Sequence, residues 1–260
     1  MNIFMSQNIR QFIKGVIQKK QDWTEMTKYR VPCQHDVPEV INTVYDDIFG
    51  YKTDGFFVEV GAFNGEDSSF TCHLADIGWT GHYIEPIKKY FLQCSGRHKN
   101  NKITCHNYFI DTATGKSIMH DYGPFSRKNV IDCELPIQEK GEAVEIDCIT
   151  LDDFLKKGSI PKKFELMVID VENGERDVLK SFPSLGRAYH PTAIIIETEN
   201  SEEVKKIMSN AGYVRYCSFD TEDPQTKNAV FVSLKRAKEK FDFLDKLKKQ
   251  NVIHSSEINP

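Results

Sequence analysis

The strongest constraint on the fold is an alternation of strand-like and helix-like segments through the middle of the 260-residue chain. Short apolar segments typical of buried strands recur in this order: FFVEV, HYIEP, KITCHNYFID, FELMVIDVE, PTAIIIETEN and NAVFVSL. Segments of helical character lie between them, over residues 67–77, 86–96, 172–182 and 201–211. Strands that alternate with helices form a parallel sheet with helices on both faces. The sequence therefore predicts an α/β fold with a mostly parallel central sheet.

Acidic residues stand at or near the carboxyl ends of these predicted strands. In strand order they are Glu59, Glu85, Asp111, the pair Asp170 and Glu172, and Glu197. Ligands of open α/β sheets bind beyond the carboxyl ends of the strands, and a buried carboxylate without a partner is costly. The acids therefore predict a ligand that is polar, positively charged or rich in hydroxyl groups.

The segment FFVEVGAFNGED, residues 56–67, predicts a strand followed by a sharp turn at Gly61 and Gly65. Glycine lets a backbone turn tightly and approach a ligand closely. The alternative is a tight connection between strand and helix that holds no ligand. The spacing is GxxxG, whereas a dinucleotide site has GxGxxG, and the chain has no GxxxxGK followed by Ser or Thr, as a P-loop requires.

The charges around this turn favour a cationic ligand over a phosphorylated one. Glu66 and Asp67 follow the turn, where they would repel the pyrophosphate of a dinucleotide. S-adenosylmethionine carries no phosphate, its amino and sulfonium groups are positive, and its ribose has two hydroxyls. Glu85 lies about twenty residues beyond the turn, where Rossmann-like folds place a ribose-binding acid. The pattern predicts S-adenosylmethionine as the cofactor.

Two extensions flank a predicted catalytic domain of residues 51–234. Residues 1–50 form a predicted N-terminal helical extension whose apolar face would lie on a membrane surface or, as we favour, on its own domain or a partner subunit in a homo-oligomer. Residues 235–260 predict a basic helix and a polar tail. The apolar faces consist of Ile9, Phe12, Ile13, Val16 and Ile17 in the first helix and of Phe241, Leu244 and Leu247 in the second.

Composition excludes several classes of protein. A net charge of −4 gives no global attraction to nucleic acid, and the core has no clear nucleic-acid surface, although both terminal segments are locally basic. The seven cysteines form no CxxC pair, which indicates reduced thiols rather than a zinc site or a disulfide framework. No apolar stretch reaches membrane-spanning length, and no signal peptide is recognisable. We therefore expect a cytoplasmic protein without a transmembrane segment.

Four segments resemble, in order, the signature blocks of the FkbM-type methyltransferase family: DGFFVEVGAFNGEDSSFT, IGWTGHYIEP, ITLDDFL and ELMVIDVENGERDVLKSF. The resemblance runs from about Tyr45 to Leu234. It implies a class I (Rossmann-like) fold and methyl transfer from S-adenosylmethionine, usually to oxygen and often on sugars or natural products. It leaves the acceptor open.

The resemblance also implies roles for single residues. Glu59, Gly61, Ala62 and Asn64, with Gly65, match the first cofactor loop, Glu85 matches the ribose-binding acid, Asp111 lies near the adenine position, and Asp170 and Glu172 match acids near the sulfonium. The chain departs from the family at Phe70, where many members have asparagine, and at Asn173, where a smaller residue is common.

Methyl transfer to a hydroxyl requires that the hydroxyl lose its proton, so we expect a general base or a metal ion. Asp170 and Glu172 are the leading candidates for the base, although Asp170 would alternatively hold the methionine amino group. Glu197 and His106 are further candidates. Asp170, Glu172 and Glu197 would also suit a divalent metal if they converged, and the sequence does not decide this.

Three hypotheses of function follow. The first is O-methylation of a hydroxyl on a sugar, a glycan or a small natural product, with that small-molecule or glycan acceptor as the partner. The second is methyl transfer to a peptide or a nucleic acid. The third is a catalytically dead methyltransferase fold that serves as a binding module.

Overall fold

The computed structural model describes residues 44–49, 52, 54–128, 141–198, 201–220 and 227–235. Its strands are β1 (Phe56–Val60), β2 (Thr80–Ile84), β3 (Ile103–His106), β4 (Phe109–Ile110), β5 (Gly115–Asp121), β6 (Glu142–Ile149), β7 (Lys163–Ile169), β8 (His190–Thr198), β9 (Tyr213–Asp220) and β10 (Lys227–Ser233). Its α-helices are α1 (Cys72–Ile77), α2 (Lys88–Arg97), α3 (Leu151–Lys157), α4 (Glu175–Lys180) and α5 (Glu202–Asn210). A π-helical turn covers Val44–Phe49, and a 3-10 turn covers Gly123–Phe125.

The central sheet has seven strands in the order β3-β2-β1-β7-β8-β10-β9. The pairs β3–β2, β2–β1, β1–β7 and β7–β8 are parallel, whereas β10 is antiparallel to both of its neighbours. The predicted α/β class with a mostly parallel sheet is confirmed. The chain winds outward from β1 to β3 and later returns to β7 on the other side of β1, so the strand order reverses between β1 and β7. Ligands of such sheets bind beyond the carboxyl ends at that point.

Apolar side chains of the central strands alternate between two cores, one on each face of the sheet. In β7, for example, Leu166 and Val168 belong to one core, whereas Met167 and Ile169 belong to the other. The first core includes side chains of α1 and α2, and the second includes side chains of α3, α4 and α5. Each of these four β7 residues is fully buried, so burial on both faces, rather than alternation of apolar and polar residues, explains the continuous apolar run.

A second sheet of three strands, β4-β6-β5, is inserted between β3 and α3. Strand β6 pairs in parallel with β4 and antiparallel with β5. Its inner side forms a third apolar core with α2, in which Tyr90 packs with Phe109, Met119 and Ile146. Sequence analysis missed this hairpin. It places the chain around residues 119–126 beside the carboxyl ends of β1 and β2.

The structure corrects three predicted boundaries. The third predicted strand does not continue to Asp111: it ends at His106, and Asn107 then diverts the chain because its side-chain amide donates hydrogen bonds to the carbonyls of Glu85 and Pro86 (2.9 and 2.7 Å). The predicted helix over 67–77 begins at Cys72, and that over 172–182 begins at Glu175. Strand β8 ends at Thr198, one residue beyond Glu197, which therefore lies next to the carboxyl end of the strand.

The Gly-Trp-x-Gly block is a packing motif. Gly78 ends α1 in a left-handed conformation (φ 110°), and Trp79 is fully buried, with its indole N–H donating to the Lys52 carbonyl (2.9 Å). A Cβ atom at Gly81 would lie 2.4 Å from the Phe57 ring. The block therefore supports the fold beside the site and does not itself line it.

The predicted terminal helices lie outside the described residues, apart from the turn at Val44–Phe49 and the residues up to 235. Within the parts of the chain that the structure describes, no helix is both long enough and apolar enough to span a bilayer.

Candidate active site

Two adjacent cavities open at the carboxyl ends of the parallel strands, where the strand order reverses. The first has a volume of about 450 Å³ and is lined by Gly61, Phe63, Glu85, Asp170 and Glu172, among others. It lies beyond β1, β2 and β7, beneath the inserted sheet. The structure thus brings four predicted site residues to one cavity: Gly61, Glu85, Asp170 and Glu172.

Gly61 is required by the backbone and not only by a ligand. Its φ of +91° is left-handed, and a Cβ atom there would lie 1.7 Å from the carbonyl oxygen of Asp170. Its N–H donates to the Ile84 carbonyl (3.0 Å), as does the N–H of Ala62 (3.1 Å), which ties the turn to the end of β2. The close approach of two strand ends therefore demands glycine at this position.

Gly65 and Asn64 shape the same loop. A Cβ atom at Gly65 would lie 2.6 Å from Cys94 Sγ on α2. The Asn64 side-chain oxygen accepts hydrogen bonds from the N–H groups of Glu66 and Asp67 (3.0 and 2.9 Å), and its amide donates to the Asp67 carboxylate (2.6 Å). Both residues belong to the predicted cofactor loop, and their contacts in the structure hold the loop together.

Glu59, at the end of β1, holds this loop in place through hydrogen bonds. Its carboxylate accepts hydrogen bonds from the N–H groups of Phe70 and Thr71 (3.3 and 3.1 Å) and from the hydroxyls of Ser69 and Thr71. These bonds hold residues 69–71 out of the helix and explain why α1 begins at Cys72. Burial raises the pKa of Glu59 to about 7, against the opposing effect of these donors. Phe70 contacts Glu59 through its backbone N–H, and its ring is buried. The hydrogen bond to Glu59 is therefore kept although the chain has phenylalanine where many family members have asparagine.

Glu85 stands at the wall of the first cavity. Its two carboxylate oxygens accept hydrogen bonds from the N–H groups of Phe63 and Ile87 (2.9 and 2.7 Å). Burial raises its pKa to about 8, and the charge of Asp121 adds to this effect. Phe63, with a left-handed φ of 46°, packs on Tyr90 with ring centroids 4.3 Å apart. Sequence analysis did not identify Phe63 as a residue of the cavity. Its position between Gly61 and Asn64, two residues of the predicted cofactor loop, could have indicated it.

Four acids gather where β7 ends. The Asp170 carboxyl is hydrogen-bonded to Glu197, and burial, followed by the charges of Glu197, Glu172 and Glu175, raises its pKa well above the ordinary value. A hydrogen bond between two carboxyl groups requires a proton on one of them. A positive charge bound nearby would lower the pKa of Asp170.

The turn that follows β7 is strained. Glu172 and Asn173 both have left-handed φ angles, 56° and 72°, which are uncommon for residues other than glycine. The buried Glu175 braces the turn because its carboxylate accepts a hydrogen bond from the Val171 N–H (3.1 Å), and burial raises its pKa to about 7. Strain of this kind is concentrated at functional sites.

The second cavity, of about 540 Å³, shares Glu172 with the first and is also lined by Asp111, Arg127, Lys128 and Asn173. Asp111 accepts a hydrogen bond from Lys128 Nζ (2.6 Å), and although burial opposes it, this contact lowers the pKa of Asp111. Asp111 thus lies on the second cavity, whereas neighbouring Phe109 and Ile110 line both. Asn173, where the chain departs from the family, is on the second cavity as well.

His106 lines neither cavity, although its carbonyl accepts a hydrogen bond from the N–H of Glu85 (3.0 Å). Its ring stacks on His82 with centroids 5.0 Å apart, and His106 Nε2 is 2.8 Å from His82 Nδ1. Burial lowers the pKa of both rings. Its contacts are those of a packed pair between β2, β3 and α3, where Phe154 meets the His106 ring edge-on. Among the residues with described positions, no group of three or more His, Cys, Asp or Glu side chains is arranged to hold a metal ion.

The model of the Methyltransferase FkbM domain matches residues 59–215. The chain belongs to this family. The match includes every residue that we place on the two cavities and extends over more than half of the chain, which makes the chain a methyltransferase dependent on S-adenosylmethionine.

Solved methyltransferases provide further comparisons at low identity. Magnesium protoporphyrin IX methyltransferase of Synechocystis, solved with S-adenosylhomocysteine, is 10% identical with a TM-score of 0.45, covering 76% of this chain and 81% of that one. A ribosomal protein L11 methylase of Lactobacillus delbrueckii is 8% identical (TM-score 0.44, 76% of each chain). The Methanococcus jannaschii fibrillarin pre-rRNA processing protein is 13% identical (TM-score 0.43, 70% and 67%). The comparison with curated proteins yields no match.

The residues of the first cavity fit S-adenosylmethionine. The cavity offers a carboxylate, Glu85, at the end of β2 for hydroxyl donors, and a second acid, Asp170, whose neighbours are also acids. A ligand with positive amino and sulfonium groups relieves that repulsion, whereas a phosphate would increase it. The cofactor supplies an activated methyl group, and the chain provides binding and orientation.

Proposed function

We propose that this chain methylates a hydroxyl group of a sugar, a glycan or a small natural product. The observation that carries the proposal is the cluster of Asp170, Glu172 and Glu197 at the end of β7, with Glu172 on the wall of both cavities. An acceptor in the second cavity then meets a carboxylate at the boundary with the cofactor. A hydroxyl acceptor has to lose a proton during transfer, and a carboxylate in this position takes it.

The state of the cluster supports the same chemistry. Asp170 shares a hydrogen bond with Glu197, and burial, followed by the charges of the neighbouring acids, raises its pKa well above that of an isolated aspartate. Bound positive charge lowers that pKa and ionises the cluster. Binding of the methyl donor therefore prepares a proton acceptor beside the acceptor cavity.

Polar groups in the second cavity favour an acceptor with several hydroxyls over an apolar one. Asp111, Arg127, Asn173 and Asp177 line it together with Glu172. A net charge of −4 for the chain supports a small acceptor over nucleic acid.

The test is methyl transfer from labelled S-adenosylmethionine to a panel of methyl-free glycans and small hydroxylated compounds, with peptides and RNA in parallel. Label on a hydroxyl compound that disappears in Glu172→Gln supports the proposal. Label on peptide or RNA alone replaces it with the second hypothesis. Binding of S-adenosylhomocysteine without transfer to any class indicates a binding module.

A further inference from the structure

Arg127 is the feature of the second cavity that the proposed chemistry does not use. It follows the 3-10 turn Gly123–Phe125 and is only 7% exposed, although it lines a cavity. Its Nε donates to the Phe125 carbonyl (3.3 Å). Among the residues that the structure describes, its two terminal nitrogens have no hydrogen-bond or ion-pair partner.

The backbone holds Arg127 firmly in place. Its N–H donates to the His120 carbonyl (3.2 Å), and its own carbonyl accepts from the His120 N–H (2.9 Å), which joins it to β5 as an antiparallel bridge. A guanidinium presents five N–H donors in a fixed plane, and burial without partners is costly. The terminal nitrogens therefore face the cavity, where a ligand can accept their hydrogen bonds.

The neighbouring cation, Lys128, does have a partner within the protein. Lys128 Nζ is engaged by the Asp111 carboxylate at 2.6 Å, and 44% of its side chain is exposed. The charge of Lys128 is thus already neutralised within the protein. Of the cations with described positions on this cavity wall, Arg127 is the one that remains for a ligand.

Glu172 and Arg127 differ in their relation to the first cavity. Glu172 lines both cavities, whereas Arg127 lines the second cavity. A ligand in the second cavity can then place a hydroxyl against Glu172, beside the first cavity. The same ligand can contact Arg127 with another group.

We propose that Arg127 anchors an anionic group of the acceptor, so that the substrate is a sugar or related polyol carrying a phosphate or a carboxylate. The proposal rests on the proposed hydroxyl methylation and specifies its substrate class. Paired N–H donors of arginine match two oxygens of either anion. Phosphate and carboxylate share this chemistry, and the acceptor panel distinguishes them.

The experiment measures binding by calorimetry, without methyl transfer, to protein saturated with S-adenosylhomocysteine. The probes are glucose, glucuronate, glucose 6-phosphate and inorganic phosphate. We expect at least one anion to bind wild type at least tenfold more tightly than glucose. Arg127→Gln removes this preference, whereas Lys116→Gln, which deletes the same charge from an exposed ion pair on β5, keeps it.

Two further readouts keep the test decisive. Arg127→Lys retains the charge and loses the paired geometry, so an intermediate affinity is expected; it also replaces Arg127→Gln if the latter does not fold, as its melting temperature would show. Equal affinity of wild type for glucose and all anions, or undiminished anion binding in the Arg127 variants, overturns the proposal. Binding of none of the anions at millimolar concentration does so too.

The outcomes separate this proposal from the proposed function. Arg127-dependent binding of an anion, with no methyl transfer to any sugar, supports the anchor and contradicts hydroxyl methylation. Methylation of neutral sugars at the same rate in wild type and Arg127→Gln supports hydroxyl methylation and contradicts the anchor.

Discussion

The loop after β1, residues 61–71, and the turn after β7, residues 170–175, lie side by side at one end of the sheet and differ in how their polar groups are satisfied. Glu59, at the end of β1, and Asn64, in the loop, accept hydrogen bonds from the backbone and hydroxyl groups of the loop. In the turn, Asp170 is surrounded by the charges of three other acids, and two residues other than glycine are left-handed.

This difference shows that matching a family motif does not by itself tell which residues touch ligand. Both segments match signature blocks, and both stand at carboxyl ends of strands. The carboxylate of Glu59 and the side chain of Asn64 are occupied by donors of the loop, whereas in the turn the neighbouring acids raise the pKa of Asp170. We infer that the loop forms the wall of the cofactor cavity and that the turn carries the chemistry.

The largest effect is expected for Gly61→Val. The new Cβ would lie 1.7 Å from the Asp170 carbonyl oxygen, and φ is +91°. We expect a loss of stability of more than about 4 kcal/mol, which marks a severe backbone or packing conflict, and loss of S-adenosylhomocysteine binding. Urea denaturation and calorimetry measure both.

Gly96→Ala is the matched control for that variant. Gly96 lies in α2, and a Cβ atom there meets nothing within 4 Å. We expect a gain of roughly 0.5–1 kcal/mol, because alanine is the better helix former. Normal folding of Gly61→Val would mean that β1 and β7 do not approach as closely as the structure has them.

The next effect concerns Asp170→Asn and Glu172→Gln. If either acid is the base, its amide should slow methyl transfer by roughly 10²–10⁴-fold while affinity for S-adenosylhomocysteine stays nearly unchanged. If Asp170 instead holds the methionine amino group, Asp170→Asn should weaken binding and slow turnover together. Single-turnover rates and calorimetry on the same proteins distinguish the two roles. Full activity in both variants would direct attention to Glu197 or His106.

The parts of this site that could be predicted from the sequence are those that depend on neighbouring residues, and the parts that could not be predicted depend on contacts between distant segments. Strand ends depend on local sequence, and Glu85 and Asp170, which follow two predicted strands, both line the first cavity. The contacts of Glu59 with residues 69–71, and the pairing of His106 with His82, depend on packing between distant segments. The inserted sheet was missed because β4 has only two residues, and Arg127 because no motif surrounds it.

Glu85→Ala tests the loop side of the comparison. The change removes the acceptor that we propose for the ribose hydroxyls, and it removes the acceptor of the N–H groups of Phe63 and Ile87. We expect S-adenosylhomocysteine to bind about 1–3 kcal/mol more weakly, the range for unsatisfied polar groups. Unchanged affinity in calorimetry would remove Glu85 from the cofactor site.

The raised pKa of Glu85, about 8 against an ordinary 4.5, predicts a dependence of stability on pH. The folded chain keeps this proton where the unfolded chain has lost it, so the free energy of unfolding falls as pH rises. Above about pH 7 the histidines with lowered pKa values are neutral in both states and do not interfere. We expect wild type to lose about 1 kcal/mol more than Glu85→Gln between about pH 7 and 9. Equal slopes in urea denaturation would contradict the buried, proton-holding carboxyl.

The smallest effect is expected for Asn64→Ala. This substitution tests whether Asn64 only stabilises the loop or also contacts the cofactor. The substitution removes the acceptor of the Glu66 and Asp67 N–H groups, which lie in a loop with access to water. We expect a loss of about 1 kcal/mol in stability and little change in S-adenosylhomocysteine affinity or in methyl transfer rate. Asn64→Asp, which keeps an acceptor oxygen, should recover most of the stability. A tenfold loss of affinity in Asn64→Ala, with stability unchanged, would instead place Asn64 against the cofactor, beside the loop residues Gly61 and Phe63 that line the first cavity.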